Sequence, residues 1–182
     1  MDLYKQEKAA QDFIKFRGCI ELALLNAANH DVVEKRKIDN VVVTSGRSYV
    51  LSRLVSASPQ TDVINAIAVG TSTAAPATGD TLLGSEALRI SISSFATSGL
   101  TNNPPSWQAQ ATFATNQANT TLGEAGLFNS TAANVQTMLS HVTYATINKT
   151  TLTKWGRAIV KWMREFFLID SNAAMPTRAK LA

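Results

Sequence analysis

The chain has 182 residues, of which 45% are hydrophobic and 16% are charged, and its formal net charge is +4. This length is sufficient for one domain with a hydrophobic core, whereas a disordered chain would have fewer apolar residues and more charges. With one cysteine, Cys19, the chain can form neither an intrachain disulfide nor a cysteine-cluster metal site. The sequence has no apolar run of roughly 18 residues, and residues 1–12 lack the apolar stretch of a signal peptide. These features predict a globular protein that is assembled in a reducing cytosol and inserts into no membrane.

Charged residues are distributed unevenly along the chain. More than half of the lysines and arginines lie in residues 1–54, whereas Glu124 is the only formal charge between Ile90 and Asn148. Ser, Thr, Asn, Gln and Ala dominate this uncharged stretch. Such a surface can form hydrogen bonds with a neighbouring subunit without burying ions, which is costly. The composition therefore favours a protein-contact surface, and a solvated neutral sheet is the alternative.

The first half of the chain predicts a hairpin followed by a helix. Apolar residues alternate from Ile14 to Leu24, which indicates a half-buried strand. Residues 26–31 are rich in turn formers, and residues 32–43 return as extended chain. Thr44 and Ser45 are good N-cap residues, and the apolar spacing after them predicts an amphipathic helix over residues 46–56.

Short strands separated by turn residues are predicted for the second half. Alternation is clearest over residues 107–113, and other strands are predicted at residues 63–69, 88–92, 125–128 and 136–147. A helical turn is predicted over residues 81–87. Residues 158–168 fit both a helical face and an alternating strand, and the strand is the preferred interpretation.

Frequent short strands with a single helix are typical of a mainly β protein. The pattern predicts an antiparallel β-sandwich, or jelly-roll-like domain, over residues 14–168. Residues 1–13 and residues 169–182 are polar and carry too little apolar surface to fold alone, so they are predicted to be terminal arms.

Groups suited to catalysis are sparse in this sequence. No zinc-protease or nucleophile-elbow motif is present, and the two histidines, His30 and His141, are interpreted as a solvated turn residue and a strand residue. The basic run Lys35-Arg36-Lys37 is too short to predict nucleic-acid binding, since alternation sends its side chains to both faces. We therefore expect no enzymatic activity, no catalytic residue, no cofactor and no bound metal.

Four residues are singled out for other roles. Glu124 stands alone in its uncharged region and is interpreted as a structural carboxylate that accepts backbone N–H bonds across a turn. Its alternatives are a cation ligand or the centre of a glycan hydrolase, although glycosidases need paired carboxylates. Trp107, Trp155 and Trp162 are candidate interface anchors, and packing in the core is the alternative for each.

Three groups of segments resemble a group of small structural proteins of tailed bacteriophages. The first group contains Ile20-Glu21-Leu22, residues 32–36 and residues 39–47, and the second contains residues 67–76, Asp80-Thr81 and Leu83-Gly84-Ser85-Glu86. The third group contains Glu124-Ala125-Gly126-Leu127-Phe128-Asn129, Met138-Leu139 and Ile147-Asn148-Lys149. The resemblance covers about residues 14–165, and its motifs are signatures of turns and strands.

The resemblance implies a virion structural protein located on the capsid exterior and assembled in the host cytoplasm. The expected function is that of a capsid cement or decoration protein. Its partners would be the major capsid protein and copies of itself in a dimer or trimer, without nucleic acid or membrane. The alternative is a tail or head-fibre component that binds a host glycan receptor.

Overall fold

The computed structural model describes residues 17–55, 62–97, 101, 106–133, 137–151 and 153–162. The predicted arms, residues 1–13 and 169–182, lie outside the described residues. Within these ranges the protein is mainly β, with antiparallel sheets and one helix, so the predicted fold class is confirmed at this level. No helix in the described part of the chain is long and apolar enough to cross a bilayer.

Ten strands and one helix make up the described fold. In chain order they are β1 (Cys19–Asn26), β2 (Val32–Asp39), β3 (Val41–Val42), α1 (Thr44–Val55), β4 (Ala66–Gly70), β5 (Glu86–Ser91), β6 (Ser94–Ala96), β7 (Trp107–Phe113), β8 (Thr121–Phe128), β9 (Met138–Asn148) and β10 (Thr153–Trp162). One sheet, sheet A, has the order β2-β1-β10-β7-β6, and the other, sheet B, has the order β3-β9-β8-β4-β5. All the strand pairs are antiparallel.

Alternation along the strands decides which side chains enter the core. In β7, Ala109, Ala111 and Phe113 are fully buried, and the residues between them are more exposed, as predicted. One apolar cluster contains residues of both sheets, including Leu22 of β1 and Val69 of β4. Central strand β4 is buried at every position because it lies between β8 and β5 and beneath neighbouring elements. The strand preferred for residues 158–168 is confirmed as far as Trp162, and residues 163–168 lie outside the described ranges.

The predicted hairpin is confirmed, since β1 and β2 pair antiparallel on either side of the turn that follows Asn26. Its second arm ends at Asp39 and not at Val43, because the chain leaves sheet A there and enters sheet B at Val41. Another prediction is wrong, and one strand is longer than predicted. Residues 81–85 form a loop rather than a helical turn, since the Gly84 and Ser85 N–H groups bond to a side-chain carboxylate. Strand β8 begins at Thr121, four residues before the predicted strand, so Gly123 lies inside it.

Helix α1 begins at Thr44, two residues earlier than predicted, and packs closely on sheet B. The Thr44 N–H donates to the carbonyl of Thr78 at 2.7 Å, so another loop satisfies the start of the helix. Tyr49 is buried, whereas Leu51, another apolar residue of the helix, is 44% exposed. A Cβ atom on Gly46 would lie 2.3 Å from the Leu139 carbonyl oxygen, so only glycine permits this close approach.

We expect Gly46→Ala to destabilise the protein by about 1–3 kcal/mol, because overpacking against the β9 backbone outweighs the roughly 1 kcal/mol gain in helix propensity. The matched control is Ser48→Ala in the same helix, where the side chain is exposed and the change should be within about 0.5 kcal/mol. Urea denaturation measures both values. A neutral or stabilising Gly46→Ala would contradict the close packing.

Candidate functional site around Glu124

The carboxylate of Glu124 in β8 is fully buried and holds the loop between β4 and β5. Its Oε1 accepts hydrogen bonds from the N–H groups of Ser72, at 3.2 Å, and Ser85, at 2.7 Å. Its Oε2 accepts a hydrogen bond from the Gly84 N–H at 2.9 Å. Three amides separated by up to thirteen residues in sequence therefore share one side chain, which fixes the two ends of residues 71–85 (the 71–85 segment) together.

Glycines make room for this carboxylate. A Cβ on Gly70 would lie 2.3 Å from Glu124 Oε1 and 2.4 Å from the Ser85 carbonyl oxygen. Cβ atoms on Gly84 and Gly123 would lie within 2.8 Å of atoms of Ser72. Because all three positions admit no side chain, the backbone can approach the carboxylate closely enough to donate hydrogen bonds.

His141 of β9 connects Glu124 to Asp80 in the 71–85 segment. The ring is buried, with Nε2 at 3.0 Å from Glu124 Oε2 and Nδ1 at 2.7 Å from Asp80 Oδ2. Burial alone would raise the pKa of Asp80, but the N–H of Ala77 and the hydrogen bond and charge of His141 outweigh it, so the pKa is lowered. Asp80, His141 and Glu124 form a continuous row, which we call the Asp80–His141–Glu124 row.

Tyr144 forms a hydrogen bond with the backbone of Glu124. Its hydroxyl donates to the Glu124 backbone carbonyl at 3.0 Å. Burial, and next the charge of Glu124, raise the pKa of Tyr144 far above its usual range, so the phenol remains a neutral donor. The row is therefore bordered by a group that adds no charge.

Arg89 of β5 binds the loop that follows β8. Its guanidinium lies 3.6 Å from the centre of the Phe128 ring and makes two hydrogen bonds to the Glu86 carboxylate. It also donates to the carbonyls of Ser130, at 3.3 Å, and Ala132, at 3.1 Å. A planar guanidinium stacked on an aromatic ring leaves its N–H groups free for these partners in its plane.

Lys149, just after β9, binds the turn between β7 and β8 in the same manner. It is 1% exposed, and its Nζ donates to Asn119 Oδ1 at 2.7 Å and to the Thr115 carbonyl at 3.3 Å. Burial lowers the pKa of Lys149. Glu124, Arg89 and Lys149 thus each hold a loop by bonding to its backbone or side chains.

The contacts of Glu124 are the kind expected for a structural turn carboxylate. Its side chain has no exposed surface, and its oxygens accept hydrogen bonds from backbone amides and the His141 ring. Among the described residues, no group of three or more His, Cys, Asp or Glu side chains is arranged to hold a metal ion.

The structure separates the tryptophans from this site. Trp107 is half-buried at the start of β7, and its ring centre lies 6.3 Å from that of the exposed Phe95 in β6. The strand register places Trp162 opposite Trp107, and Trp155 opposite Phe113. All three tryptophans belong to β7 or β10 of sheet A, while Glu124 belongs to sheet B. Their role as interface anchors stays a prediction.

The partners of Glu124 are not evident from the sequence. His141 and Asp80 lie 61 positions apart, and nothing near either residue in the sequence indicates the bond between them. The roles of Arg89 and Lys149 are likewise seen only in the fold. The sequence contains one signal for this site, a set of three glycines at which the backbone closely approaches a neighbouring group: Gly70, Gly84 and Gly123.

Comparison of the chain with protein-family models, curated proteins and solved structures finds no match.

We expect Glu124→Gln to lower the free energy of unfolding by about 3–5 kcal/mol, because it removes one charge of a buried network and turns an acceptor into a donor facing other donors. The matched control is Glu34→Gln on β2, whose ion pair with Arg36 is partly exposed and should contribute at most about 1 kcal/mol. Urea denaturation measures both. A loss below about 1 kcal/mol for Glu124→Gln would contradict the role assigned to this carboxylate.

The lowered pKa of Asp80 predicts a loss of stability in acid. Since the folded-state pKa lies below the ordinary 3.8, the contribution is complete above that value and disappears as the pH falls through the folded-state pKa. Asp80→Asn should remove this component, whereas Asp39→Asn, a change at an exposed carboxyl of β2, should retain it. Unfolding free energies between about pH 3 and 5 provide the test. An unchanged pH dependence in Asp80→Asn would contradict it.

Proposed function

We propose that this protein is a structural component of a tailed-bacteriophage particle, and that it acts as a capsid cement protein on the outside of the major capsid shell. The resemblance of its turn and strand segments to small phage structural proteins supports the phage setting. The charge distribution on its surface supports a role in binding other proteins, and it is the observation on which the proposal depends.

The uncharged stretch of the sequence lies on one side of sheet A and continues into sheet B. Glu124 is the only formally charged residue between Ile90 and Asn148, and it is fully buried. The exposed side chains of this stretch in the described ranges therefore carry no formal charge. Among them are Ser93 and Ser94 at β6, Thr112 in β7, and Asn116 and Asn119 in the following turn. A partner can cover this surface without desolvating ions.

The opposite edge of sheet A is rich in charged residues. Strand β2 forms this edge and contains Glu34, Lys35, Arg36 and Lys37 in succession. Lys35 forms an ion pair with Glu21 at 2.9 Å. Charged edge strands resist pairing with other chains, so this edge is protected against association. The uncharged edge at β6 and β7 is then the side available to a capsid partner.

A rigid body would suit repeated contacts on a shell. We interpret the two five-stranded sheets as the layers of a β-sandwich, in agreement with the predicted jelly-roll-like domain. The support for this interpretation is the apolar cluster that contains residues of both sheets. Many weak contacts repeated by the symmetry of the shell then stabilise it by mass action. Terminal arms and contacts between copies, as a dimer or trimer, would extend this binding.

Exchanging a charge between the two edges tests the proposed surface. We expect Thr112→Lys, at an exposed position of β7, to weaken binding to capsid shells by at least about tenfold, because it places an unpaired charge in the contact. The matched control is Lys37→Thr on β2, which removes the same kind of charge from the other edge and should bind normally. Sedimentation with shells lacking the wild-type protein measures binding. Normal binding by a folded Thr112→Lys protein would contradict the proposed surface.

A tail or head-fibre component that binds a glycan is the second candidate. The observation that favours it is the exposed Phe95, 49% accessible, beside the Trp107 ring, since neutral polar groups next to an aromatic ring can serve as a sugar-binding surface. Copy number in purified particles distinguishes the two candidates. A cement protein should be present at a level comparable with the major capsid protein, and a fibre component at a far lower level.

A further inference from the structure

The row formed by Asp80, His141 and Glu124 places one buried ring between two carboxylates. The Nδ1 atom lies 2.7 Å from Asp80 Oδ2, and the Nε2 atom lies 3.0 Å from Glu124 Oε2. A neutral histidine has only one N–H, so it can donate to only one of these oxygens. The protonation state of the ring therefore decides whether both contacts are favourable.

Backbone N–H groups donate to the carboxylate at each end of the row. Asp80 Oδ2 also accepts the N–H of Ala77 at 2.8 Å, and Glu124 Oε2 also accepts the N–H of Gly84 at 2.9 Å. The second oxygen of Glu124 accepts two more amides. An oxygen that already accepts a backbone N–H can accept a further hydrogen bond from the ring. Both ring contacts are hydrogen bonds only if each ring nitrogen carries a proton.

We propose that His141 is a positively charged clasp that fastens the 71–85 segment to sheet B, and that loss of one ring proton releases this segment. With the proton, the two carboxylates and the ring have a net charge of −1. Without it, a ring nitrogen with a lone pair faces an ionised oxygen, and the net charge of the row becomes −2. One of the two contacts then becomes repulsive, and Asp80 is the end able to move because it lies in a loop and is partly exposed.

No other described contact supplies a charge that would replace the ring proton. On β9 the neighbouring titratable group is Tyr144, whose hydroxyl donates to the Glu124 backbone, and on β8 it is Glu124 itself. Strand β3, which pairs with β9 at His141, contains only Val41 and Val42. Helix α1, packed on β9, carries Arg47, which is exposed, and Arg53, which donates to the carbonyl of Asp62.

Release of the clasp has a defined structural consequence. Asp80 and Ala77 belong to the same part of the 71–85 segment as Thr78, whose carbonyl accepts the first N–H of helix α1. The amides of Gly84 and Ser85 would retain Glu124 as a partner after Asp80 leaves. The amides around residues 77–80 and at the start of α1 should therefore lose their protection from exchange first. The two ends of the segment, near Ser72 and Ser85, should lose it later.

The first test is the charge state of the ring, measured by nitrogen NMR of labelled protein. The chain has two histidines, so His30→Asn leaves His141 as the single histidine signal; His30 is exposed and has a φ of 63°, which asparagine adopts readily. We expect both His141 ring nitrogens to have imidazolium shifts at about pH 7. Shifts of a neutral tautomer at this pH would overturn the proposal.

The second test follows the segment as the ring loses its proton, in the same His30→Asn protein. Amide exchange of residues 77–81, corrected for the intrinsic effect of pH and compared with β4 amides, should accelerate by at least about tenfold through the ring titration. In the Asp80→Asn variant the amides of residues 77–81 should exchange rapidly at every pH, since the charged contact with His141 is already absent. Exchange at residues 77–81 that does not change through the His141 titration would overturn the proposal, even if the ring is charged at neutral pH.

Discussion

The fold of sheet B depends on the burial of one carboxylate. Glu124 lies in a central strand with no exposed surface, where an ionised group without partners would be very costly. The N–H groups of Ser72, Gly84 and Ser85 and the His141 ring satisfy it. Because these partners come from a loop and a neighbouring strand, the charge can be buried only when the 71–85 segment has its folded conformation. Local loop structure and the assembly of the sheet are therefore linked.

The same arrangement recurs at two other loops. Arg89 holds the loop after β8, and Lys149 holds the turn between β7 and β8. Each buried charge bonds to backbone carbonyls or amides, so it organises a connection that contains few apolar residues. Burial of Glu124, the single formal charge in residues 91–148, also leaves the exposed and described part of this stretch without formal charge. The arrangement combines rigid loops with a neutral polar surface, and both properties favour binding to another protein.

Much of the β architecture could be predicted because side chains alternate along strands such as β7. The position of α1 was less predictable, since its first N–H bonds to Thr78 and not to a local cap. The loop at residues 81–85 was mistaken for a helical turn because its amides bond to Glu124, about 40 residues away in sequence. Glu124 itself is interpreted as a structural turn carboxylate because it is isolated in an uncharged region. Its partners could not be identified, since nothing in the local sequence indicates that Asp80 and His141 lie together.

The most direct measurement of the central claim is NMR detection of couplings across hydrogen bonds. In protein labelled with nitrogen-15 and carbon-13, the amide nitrogens of Ser72, Gly84 and Ser85 should each show a coupling to the side-chain carboxyl carbon of Glu124. The shortest of these bonds, from Ser85 at 2.7 Å, should give the largest coupling. If these amides coupled to backbone carbonyls instead, or exchanged freely with solvent, the carboxylate would not be what organises this part of the fold.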